Sequence, residues 1–369
     1  MAGSASAIAL ARLGFEVTVY EAYEDPAGPV GSYVSLAVNG LRALAALGCL
    51  EQVQEAGFPV ARQLMWSGRG KLLGDVARGR SREDTLHSVT LMRADLVTAL
   101  REEALRSGAC IITGQRLASS KDAVADGADL IVGADGIWSA TRRELDPAAP
   151  QPVYARIYSI SGISDGSRIG TQISRSGFNW IFAKRGVFIH LPAPDGSIWW
   201  TAQIAAAAPP PDPAAVSLPD LAELFRTEPQ AEAVLQAATG VRAANIGHVL
   251  APVKRRLGGT TVLVGDAAHP VGAGQGASMA LEDAVVLARE LAAADSIPAG
   301  LAAFDRQRHP RSGKLAKTET TNRDAKTAGP ITTRMREMIM PHVFNRFYGK
   351  ATGWLYEWDP GSLPARQPR

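Results

Sequence analysis

A glycine-rich turn that begins at Gly265 is the segment of this sequence best suited to chemistry. The apolar stretch VLVG ends at Gly265, Asp266 follows it, and a helical pattern begins near Ser278. Three further glycines lie in between, at Gly272, Gly274 and Gly276. Glycine lets the backbone approach a planar ring or a phosphate closely, and a helix start offers free N–H groups and the positive end of its dipole. The segment predicts a site for a planar or anionic ligand, with Asp266 accepting hydrogen bonds from ligand hydroxyls; a loop merely rich in glycine is the simpler alternative.

A second turn follows another apolar stretch. Residues 129–142, DLIVGADGIWSATR, run from a buried strand pattern into Ala134-Asp135-Gly136. Aspartate and glycine are common turn residues because they tolerate unusual backbone angles. Taken alone, this segment is equally compatible with a strand, a turn and a helix that have no binding role.

The first residues match the end of a dinucleotide-binding fingerprint. A complete fingerprint is a strand, G-x-G-x-x-G, a helix, a second strand and an acidic residue. Here Gly3 precedes a helical stretch of small residues that ends near Gly14, FEVTVY at 15–20 alternates as a strand does, and Glu21 follows. Gly3 would let the helix and a strand pack closely, the helix N-terminus would hold a pyrophosphate, and Glu21 would accept hydrogen bonds from a ribose. The alternative is an amphipathic helix, a strand and an unrelated glutamate.

The strand and the first two glycines of that fingerprint would be encoded before Met1. A doubly wound sheet without this strand would have two exposed strand edges at its centre. We therefore hypothesise that Met1 is an internal methionine of a longer reading frame. An in-frame stop codon directly upstream, with no apolar strand encoded there, would contradict the hypothesis.

Composition narrows the classes of function. Hydrophobic residues make up 46% and charged residues 20% of the chain, as in ordinary globular proteins, and a net charge of +3 argues against a nucleic-acid partner. Cys49 and Cys110 are the only cysteines, and the histidines lack metal-ligand spacing, so we expect neither a metal site nor a disulfide framework. No apolar run is long enough to span a bilayer; we expect no stable membrane insertion and a cytoplasmic location.

The order of helical and strand patterns indicates two domains and a tail. Short alternating strands with Asp-Gly turns fill residues 154–204, whereas helices and buried strands alternate on either side of them. We expect an α/β protein with a three-layer, Rossmann-like domain that lacks its first strand, an inserted, mostly antiparallel β-sheet domain and a C-terminal helical tail packed on the protein. The expected bounds are 1–60, 91–150 and 246–325 for the first domain, 61–90 and 151–245 for the second, and 326–369 for the tail.

Together and in this order, the three motifs resemble those of the aromatic-ring hydroxylases, the flavoprotein monooxygenase family that includes para-hydroxybenzoate and salicylate hydroxylases. The resemblance covers nearly the whole chain and implies FAD as the cofactor. Leu91-Met92-Arg93 resembles the segment whose arginine binds FAD, although a solvated helix charge is the alternative for Arg93. The residues that the resemblance assigns to FAD are Gly3, Glu21, Arg93, Asp135, Gly136, Gly265, Asp266, Gly274, Gln275, Gly276 and Ala277. The family usually has a longer loop with a second proline between Pro270 and Gly274, so Pro270 is the candidate for an unusual wall beside the flavin.

The resemblance also implies the reaction. NADH or NADPH would reduce FAD, reduced flavin would add O₂ to form a hydroperoxide, and one oxygen atom would pass to a small aromatic or polyketide-like substrate. The flavin supplies this chemistry, so no catalytic side chain is assigned. Phe178, Trp180 and Phe182 lie at a spacing of two in GFNWIF and are the candidates for an aromatic substrate wall, unless they are ordinary core residues.

Three other functions stay open at this point. A flavin-dependent reductase or a halogenase would share the fold, although Trp199-Trp200 does not match the Trp-x-Trp-x-Ile-Pro segment expected of a halogenase. An inactive copy unable to hold FAD is the non-enzymatic alternative. We expect a monomer or a homodimer.

Overall fold

The computed structural model describes residues 1–28, 31–81, 83–119, 122, 127–171, 173–270, 274–326 and 330–364. Side chains are described for these residues except 319–326 and 330–336. Gly272, one of the glycines in the predicted ligand-binding turn, lies outside the described residues.

Short strands form two small sheets, one parallel and one mixed, that contact the same helix. The strands of the first are β1 (Thr18–Tyr20) and β7 (Cys110–Ile112), and those of the second are β8 (Ile131–Gly133), β15 (Thr261–Leu263) and β14 (Leu257–Gly258). β1 pairs in parallel with β7, and β8 with β15. β1 and β8 are not hydrogen-bonded to each other, and helix α1 (Ala2–Arg12) contacts both. These strands and α1 therefore form the α/β part of the fold.

The predicted first helix and strand are both present, with one difference. Gly14 ends the helix with a φ of +90°, a left-handed conformation that glycine adopts without steric cost. The Phe15 backbone N–H then donates to the carbonyl of Leu10, so Phe15 still belongs to the helix end. The strand predicted at 15–20 is consequently confirmed only from Thr18 onward.

Helices cover these strands and enclose the main apolar core. After α1, the described helices up to residue 293 are α2 (Val38–Ala46), α3 (Leu50–Ala56), α4 (Arg93–Arg106), α5 (Ala140–Leu145), α6 (Leu218–Leu224), α7 (Pro229–Gln236) and α8 (Gly276–Ala293). α1 packs between α4 and α8. Where α2 crosses α8, a Cβ on Gly40 would lie 2.5 Å from Ser278 Oγ and 3.1 Å from Ser278 Cα. The close approach of these two helices therefore depends on a glycine at position 40.

A seven-stranded sheet forms the other half of the molecule, in the order β13-β9-β12-β11-β10-β4-β5. Its strands are β4 (Arg62–Ser67), β5 (Leu72–Ala77), β9 (Val153–Asp165), β10 (Phe178–Ala183), β11 (Gly186–Pro192), β12 (Ser197–Ala205) and β13 (Ala238–Val249). Neighbouring strands are antiparallel except β4 and β10. The hairpin predicted within 63–76 is confirmed as β4 and β5, and the antiparallel strands predicted at 154–204 are confirmed as β9 to β12.

The two faces of this sheet have different neighbours. On one face, Trp200 and Phe188 are fully buried in a cluster with Leu221 of α6 and Val234 of α7. The opposite side of the sheet packs toward a small three-stranded sheet, which consists of β2 (Tyr33–Leu36), β6 (Ser88–Met92) and β3 (Phe58–Val60). The α6 and α7 helices thus close the first face, and the second face points toward the rest of the protein.

Two long helices end the described chain. The sequence does not predict α9 (Ile297–Lys326), whereas the predicted helical tail is confirmed as α10 (Pro330–Tyr356). α10 packs on β5: a Cβ on Gly74 would lie 2.4 Å from Phe344 Cδ1, and the Asp75 backbone N–H donates to Asn345 Oδ1 at 2.9 Å. Among the described residues, no helix combines the length and the apolar character that crossing a lipid bilayer requires.

Candidate functional site

Three charged residues that are distant in the sequence meet at the start of α1. Glu21, Arg93 and Asp266 all interact electrostatically with the amino group of Met1. Burial lowers the pKa of that amino group and Arg93 lowers it further, whereas Glu21 and Asp266 oppose the shift. The N–H groups of a first helical turn have no partners within the helix. The site therefore combines one cationic side chain, two carboxylates and free backbone donors.

Arg93 is held in this place by the loop that precedes β2. Its backbone N–H donates to the Ser32 carbonyl at 3.1 Å, and Nη1 donates to the Pro26 carbonyl at 3.4 Å. Gly31 has a φ of +135°, and a Cβ on it would lie 3.2 Å from Arg93 Cδ. Among the described residues, the hydrogen-bond partners of Arg93 are backbone carbonyls, so its charge is available to an anionic ligand.

Glu21 follows β1 directly and is held by backbone contacts on both sides. Its N–H donates to the Ile112 carbonyl of β7 at 2.8 Å, and its Oε1 accepts from the Tyr23 N–H at 3.0 Å. The second carboxylate oxygen has no protein partner among the described contacts. It is therefore able to accept hydrogen bonds from ligand hydroxyl groups.

The tightest backbone approach lies at Gly265. Its φ is +57°, and a Cβ there would lie 2.9 Å from Ala2 Cβ at the start of α1. A Cβ on Gly3 would lie 3.5 Å from Ala134 Cβ, which is an ordinary contact. The close approach predicted at Gly3 is thus found at Gly265. Gly265 begins a 3₁₀ turn after β15 rather than ending the strand, and this turn carries Asp266 toward α1.

A buried aspartate on α8 fixes this turn. Asp283 Oδ2 accepts from the Gly265 N–H at 2.8 Å and contacts His269 Nε2 at 2.6 Å, while Oδ1 accepts from Arg308 Nε at 2.7 Å. Burial alone would raise the pKa of Asp283, but His269 and Arg308 outweigh it and hold that pKa well below the usual range. The carboxylate is therefore charged at neutral pH. In this network His269 contacts the same carboxylate oxygen as the Gly265 N–H and so helps to position the turn.

The Asp266 carboxyl is exposed, unlike Asp283. Desolvation by the surrounding protein raises its pKa, and the nearby His269 and Met1 amino group oppose this shift. Since no protein hydrogen bond to the Asp266 carboxylate is described, its oxygens are free to accept hydrogen bonds from a ligand.

The start of α8 is tied to the C-terminal helices through one buried glutamate. Glu282 accepts hydrogen bonds from Asn39 Nδ2 at 2.7 Å, Arg308 Nη1 at 2.6 Å and Arg311 Nη2 at 2.7 Å. Asn39 also donates to Gln275 Oε1 at 3.4 Å, at the N-terminal cap of α8. Arg311 continues the network to the Leu355 carbonyl near the end of α10 at 2.9 Å. The tail therefore helps to fix the start of α8.

The other predicted residues of this turn lie next to the α8 start. Gly274 has a φ of +115° and open space where a Cβ would be, so backbone conformation rather than crowding favours glycine. Gly276 is the first residue of α8, and Ala277 packs against the main core. Pro270 is half-buried and directly precedes residues 271–273, which are outside the described part of the chain.

The second predicted motif contributes mainly to structure. Asp135 Oδ2 accepts from both the N–H and the hydroxyl of Thr141 at 3.0 Å, so it binds the first turn of helix α5, whose N-cap is Ser139. Gly136 has a φ of +75°, which lets the chain turn before that helix. The fully buried Arg142 donates to the Ala267 carbonyl at 2.9 Å. This bond joins the second motif to the turn that carries Asp266.

The predicted aromatic residues share the sheet face that points toward β2 and β3. Phe178 is buried, whereas Trp180 and Phe182 are half-buried with ring centroids 6.4 Å apart. Of the two neighbouring tryptophans, only Trp199 lies on this face, 5.9 Å from the Tyr33 ring, as the strand alternation predicts. The face is therefore an aromatic surface that is only partly covered by protein.

Two residues on this surface carry polar groups that the sequence does not predict. Tyr33 of β2 buries its hydroxyl near the side chain of Thr201. Arg78, the residue after β5, lies over the Phe178 ring at 3.3 Å. Neither residue belongs to a spaced motif, so only the folded structure brings them to the aromatic wall.

The arrangement suits an elongated ligand with a charged middle and hydroxyl groups at intervals. Helix N-termini and Arg93 favour phosphate oxygens, and the free oxygens of Glu21 and Asp266 accept hydroxyl protons. Among the described residues, no cluster of His, Cys, Asp or Glu is arranged to hold a metal ion. The features are those required by a dinucleotide cofactor with a planar ring.

Comparison with known proteins places the chain among flavin-binding enzymes. A family model described as an FAD binding domain matches residues 1–319. Kynurenine 3-monooxygenase from Salinispora arenicola is 29% identical over 87% of this chain and 77% of its own length. The 3-hydroxybenzoate 6-hydroxylase from Klebsiella oxytoca is 26% identical over 99% of this chain and 96% of its own length.

A solved structure supports the same fold. HpxO from Klebsiella pneumoniae, solved with FAD and uric acid, superposes with a TM-score of 0.81 at 21% identity. The superposition covers 98% of this chain and 95% of that protein. With the family match over most of the sequence, these findings show that the chain belongs to the FAD-binding domain family of flavoprotein aromatic hydroxylases.

Proposed function

We propose that this protein is an FAD-dependent monooxygenase that uses NADH or NADPH and O₂ to hydroxylate a small aromatic substrate. The observation that carries the proposal is the meeting of Glu21, Arg93 and Asp266 at the start of α1, next to the Gly265 turn. The relatives named above are a monooxygenase and a hydroxylase of aromatic compounds. They favour this function over the reductase, the halogenase and the inactive copy.

The cofactor assignments follow from the charges at the site. Glu21 would accept hydrogen bonds from the ribose of FAD, and Asp266 from the ribityl chain. Arg93 and the first-turn amides of α1 would bind the pyrophosphate, because both present positive charge to it. The remaining assignments concern backbone rather than side chains: Gly3, Gly136, Gly265, Gly274, Gln275, Gly276 and Ala277.

One assigned residue acts indirectly. Both hydrogen bonds described for Asp135 go to Thr141 through the same oxygen. Its main contribution would be to orient the turn at Gly136 beneath the pyrophosphate. When bound, FAD supplies the oxygen-transfer chemistry, and the protein binds, orients and excludes water.

The substrate would lie between the flavin and the aromatic sheet face. Trp180 and Phe182 are half-buried on that face, and Trp199 and Tyr33 extend it toward β2. An aromatic wall favours a flat aromatic substrate through stacking and burial of apolar area. Pro270 would form part of the opposite wall beside the flavin ring.

We propose a cytoplasmic location because both cysteines, Cys49 and Cys110, are free and reduced thiols are usual in that compartment. Residues 1–60, 91–150 and 246–325 would form the FAD-binding domain, and 61–90 with 151–245 the substrate domain. The protein would act as a monomer or a homodimer.

Isotope labelling tests the function directly. The FAD-loaded protein is supplied with NADH or NADPH, ¹⁸O₂ and a panel of phenols, aromatic acids and N-heterocycles. We expect substrate-stimulated oxidation of the nicotinamide and a product that carries one ¹⁸O atom. Turnover that proceeds without O₂ would instead support the reductase. A hydroxylated product without ¹⁸O, whose new oxygen atom comes from water, would contradict the proposal.

A further inference from the structure

Exposed apolar side chains are concentrated on one face of α10. Ile339, Val343 and Phe347 are 44%, 42% and 50% exposed, and Met338 beside them is 66% exposed. Residues that recur at every fourth position lie on the same side of a helix. These four residues define the outward face of α10. Such a cluster of large apolar side chains in contact with water commonly marks an interaction surface.

The inward face of α10 is packed against the protein. Phe344 lies against Gly74 of β5, and the Asp75 backbone N–H donates to Asn345 Oδ1 at 2.9 Å. Further along the helix, the hydroxyl groups of Tyr348 and Tyr356 lie 3.4 Å apart. These contacts fix the position of the helix, so its outward face is presented as an ordered surface.

Positive charges accompany the apolar residues of the outward face. Arg346 and Lys350 are exposed and lie four residues apart, and neither forms an ion pair with an Asp or Glu of the described chain. Residues 338–356 contain no acidic side chain. Lys71, directly before β5, donates to the Glu337 carbonyl at 3.0 Å and adds a third cation near this end of α10. The outward face therefore combines apolar area with a charge of one sign.

This charge distinguishes between the possible partners. A two-fold contact between two copies would gather Arg346 and Lys350 of both copies in one interface, where like charges repel. An entirely apolar partner would leave these cations without a counter-charge. The surface of an anionic bilayer matches both features, because its acyl chains accept apolar side chains and its headgroups attract cations. Arg and Lys can also reach the headgroups while their aliphatic stems stay in the apolar layer.

We propose that the outward face of α10 docks on the surface of a bilayer that contains anionic phospholipid. The helix lies in the plane of that surface and does not cross it, because its inward face stays packed on β5. Ile339, Val343 and Phe347 enter the boundary between headgroups and acyl chains, and Arg346 and Lys350 contact phosphate groups. The inference is independent of the proposed function, since none of these residues is assigned to the cofactor or the substrate.

Vesicle sedimentation tests the proposal with the purified protein. One set of vesicles contains equal parts of phosphatidylglycerol and phosphatidylcholine, and the other contains phosphatidylcholine alone. We expect the partition constant to be at least about tenfold higher for the anionic vesicles, since each cation near such a surface contributes about fivefold. Added salt should weaken the binding because it screens these charges. This comparison of two lipids requires no variant.

Variants then locate the surface that binds. Arg346→Gln combined with Lys350→Gln should lower the partition constant for anionic vesicles by about 25-fold, which is about fivefold for each cation. Its matched control is Lys254→Gln combined with Arg255→Gln, an exposed pair between β13 and β14, and it should change the constant by less than about twofold. Val343→Ser combined with Phe347→Ser should lower the constant at least about tenfold. Leu105→Ser combined with Val153→Ser, at positions that are 53% and 58% exposed elsewhere on the protein, is the apolar control.

Each outcome decides the proposal. Wild-type protein that stays in the supernatant with anionic vesicles overturns it, and so does binding that the control pairs weaken as much as the α10 pairs. A concentration-dependent dimer in sedimentation equilibrium, abolished by Val343→Ser with Phe347→Ser in a protein that does not bind vesicles, overturns it and assigns the face to a second copy. Vesicle binding that both α10 pairs weaken and both controls retain supports it, whether or not the protein transfers oxygen.

Discussion

Replacing Asp283 with asparagine removes a charge that three buried groups share. The Asp283 side chain is 1% exposed and contacts the Gly265 N–H, His269 and Arg308 at 2.6 to 2.8 Å. Breaking a buried ion pair by removing one partner typically costs about 3–5 kcal/mol. Arg308 would keep its second carboxylate, Glu282, at 2.6 Å. We therefore expect a loss at the lower end, about 3 kcal/mol in the free energy of unfolding.

Urea unfolding at pH 7 measures this loss, and Asp295→Asn is the control. Asp295 is exposed just beyond α8, so the control makes the same charge change without a buried partner and should stay within about 0.5 kcal/mol of wild type. The folded protein lowers the pKa of Asp283. Its contribution to the free energy of unfolding is therefore complete above the pKa of an unfolded aspartate, about 4, and is lost as the pH falls below that value. The difference between wild type and Asp283→Asn should be constant from pH 8 to 5 and narrow below about 4. If Asp283→Asn unfolded within 1 kcal/mol of wild type at pH 7, the network would not hold the Gly265 turn.

Three further changes test other parts of the structure. Burial lowers the pKa of His190 to about 4. Since the folded protein resists protonation of this residue, the free energy of unfolding should fall by up to about 3 kcal/mol between pH 6.5 and 4. Parallel profiles of unfolding free energy against pH for wild type and His190→Gln would contradict this. Gly40→Ala forces a methyl group against Ser278 and should lower the free energy of urea unfolding by about 1–3 kcal/mol. The control Gly313→Ala, in α9 with open space around its Cβ, should not destabilise the protein. Equal effects of the two changes would show that the α2–α8 crossing is not tight. A chain ending at residue 325 loses the α10 contacts on β5 and the carbonyl partners of Arg311, so it should melt at lower temperature in a thermal scan, and an unchanged transition would mean that the tail does not stabilise the fold.

Local patterns predict the elements that carry their own signals. The sequence predicts a helix of small residues that stops near Gly14, and α1 is found there as Ala2–Arg12. α9 is different because its buried side includes Arg308, Arg311 and Ser312, which look like solvent-facing residues in a sequence. The two arginines pair with carboxylates of α8, and Ser312 accepts a hydrogen bond from Arg256, and no local pattern shows these contacts. The sequence therefore misses this helix because buried polar residues interrupt the apolar stripe of Leu301, Phe304 and Leu315.

The residues of the candidate site also fall into those that the sequence predicts and those that only the structure shows. Glu21, Arg93 and Asp266 follow or begin elements with clear patterns, so their convergence can be expected from a dinucleotide-binding arrangement. The roles of Gly265 and Gly3 depend on distances between helices and strands, and these are visible only in the structure. Arg78 and Tyr33 come from different sheets and meet at the aromatic face without any shared motif. The make-up of the aromatic face is therefore harder to derive from this sequence than the residues at the start of α1.

FAD titration into the purified protein, expressed from the longest reading frame that contains this sequence, measures whether the Gly265 turn and the start of α1 bind a flavin. We expect one FAD per chain, a yellow protein absorbing near about 450 nm as bound oxidised flavins do, and weaker binding in Gly265→Val, whose side chain would meet Ala2 at the start of α1. A folded protein that stays colourless and does not bind added FAD would contradict it.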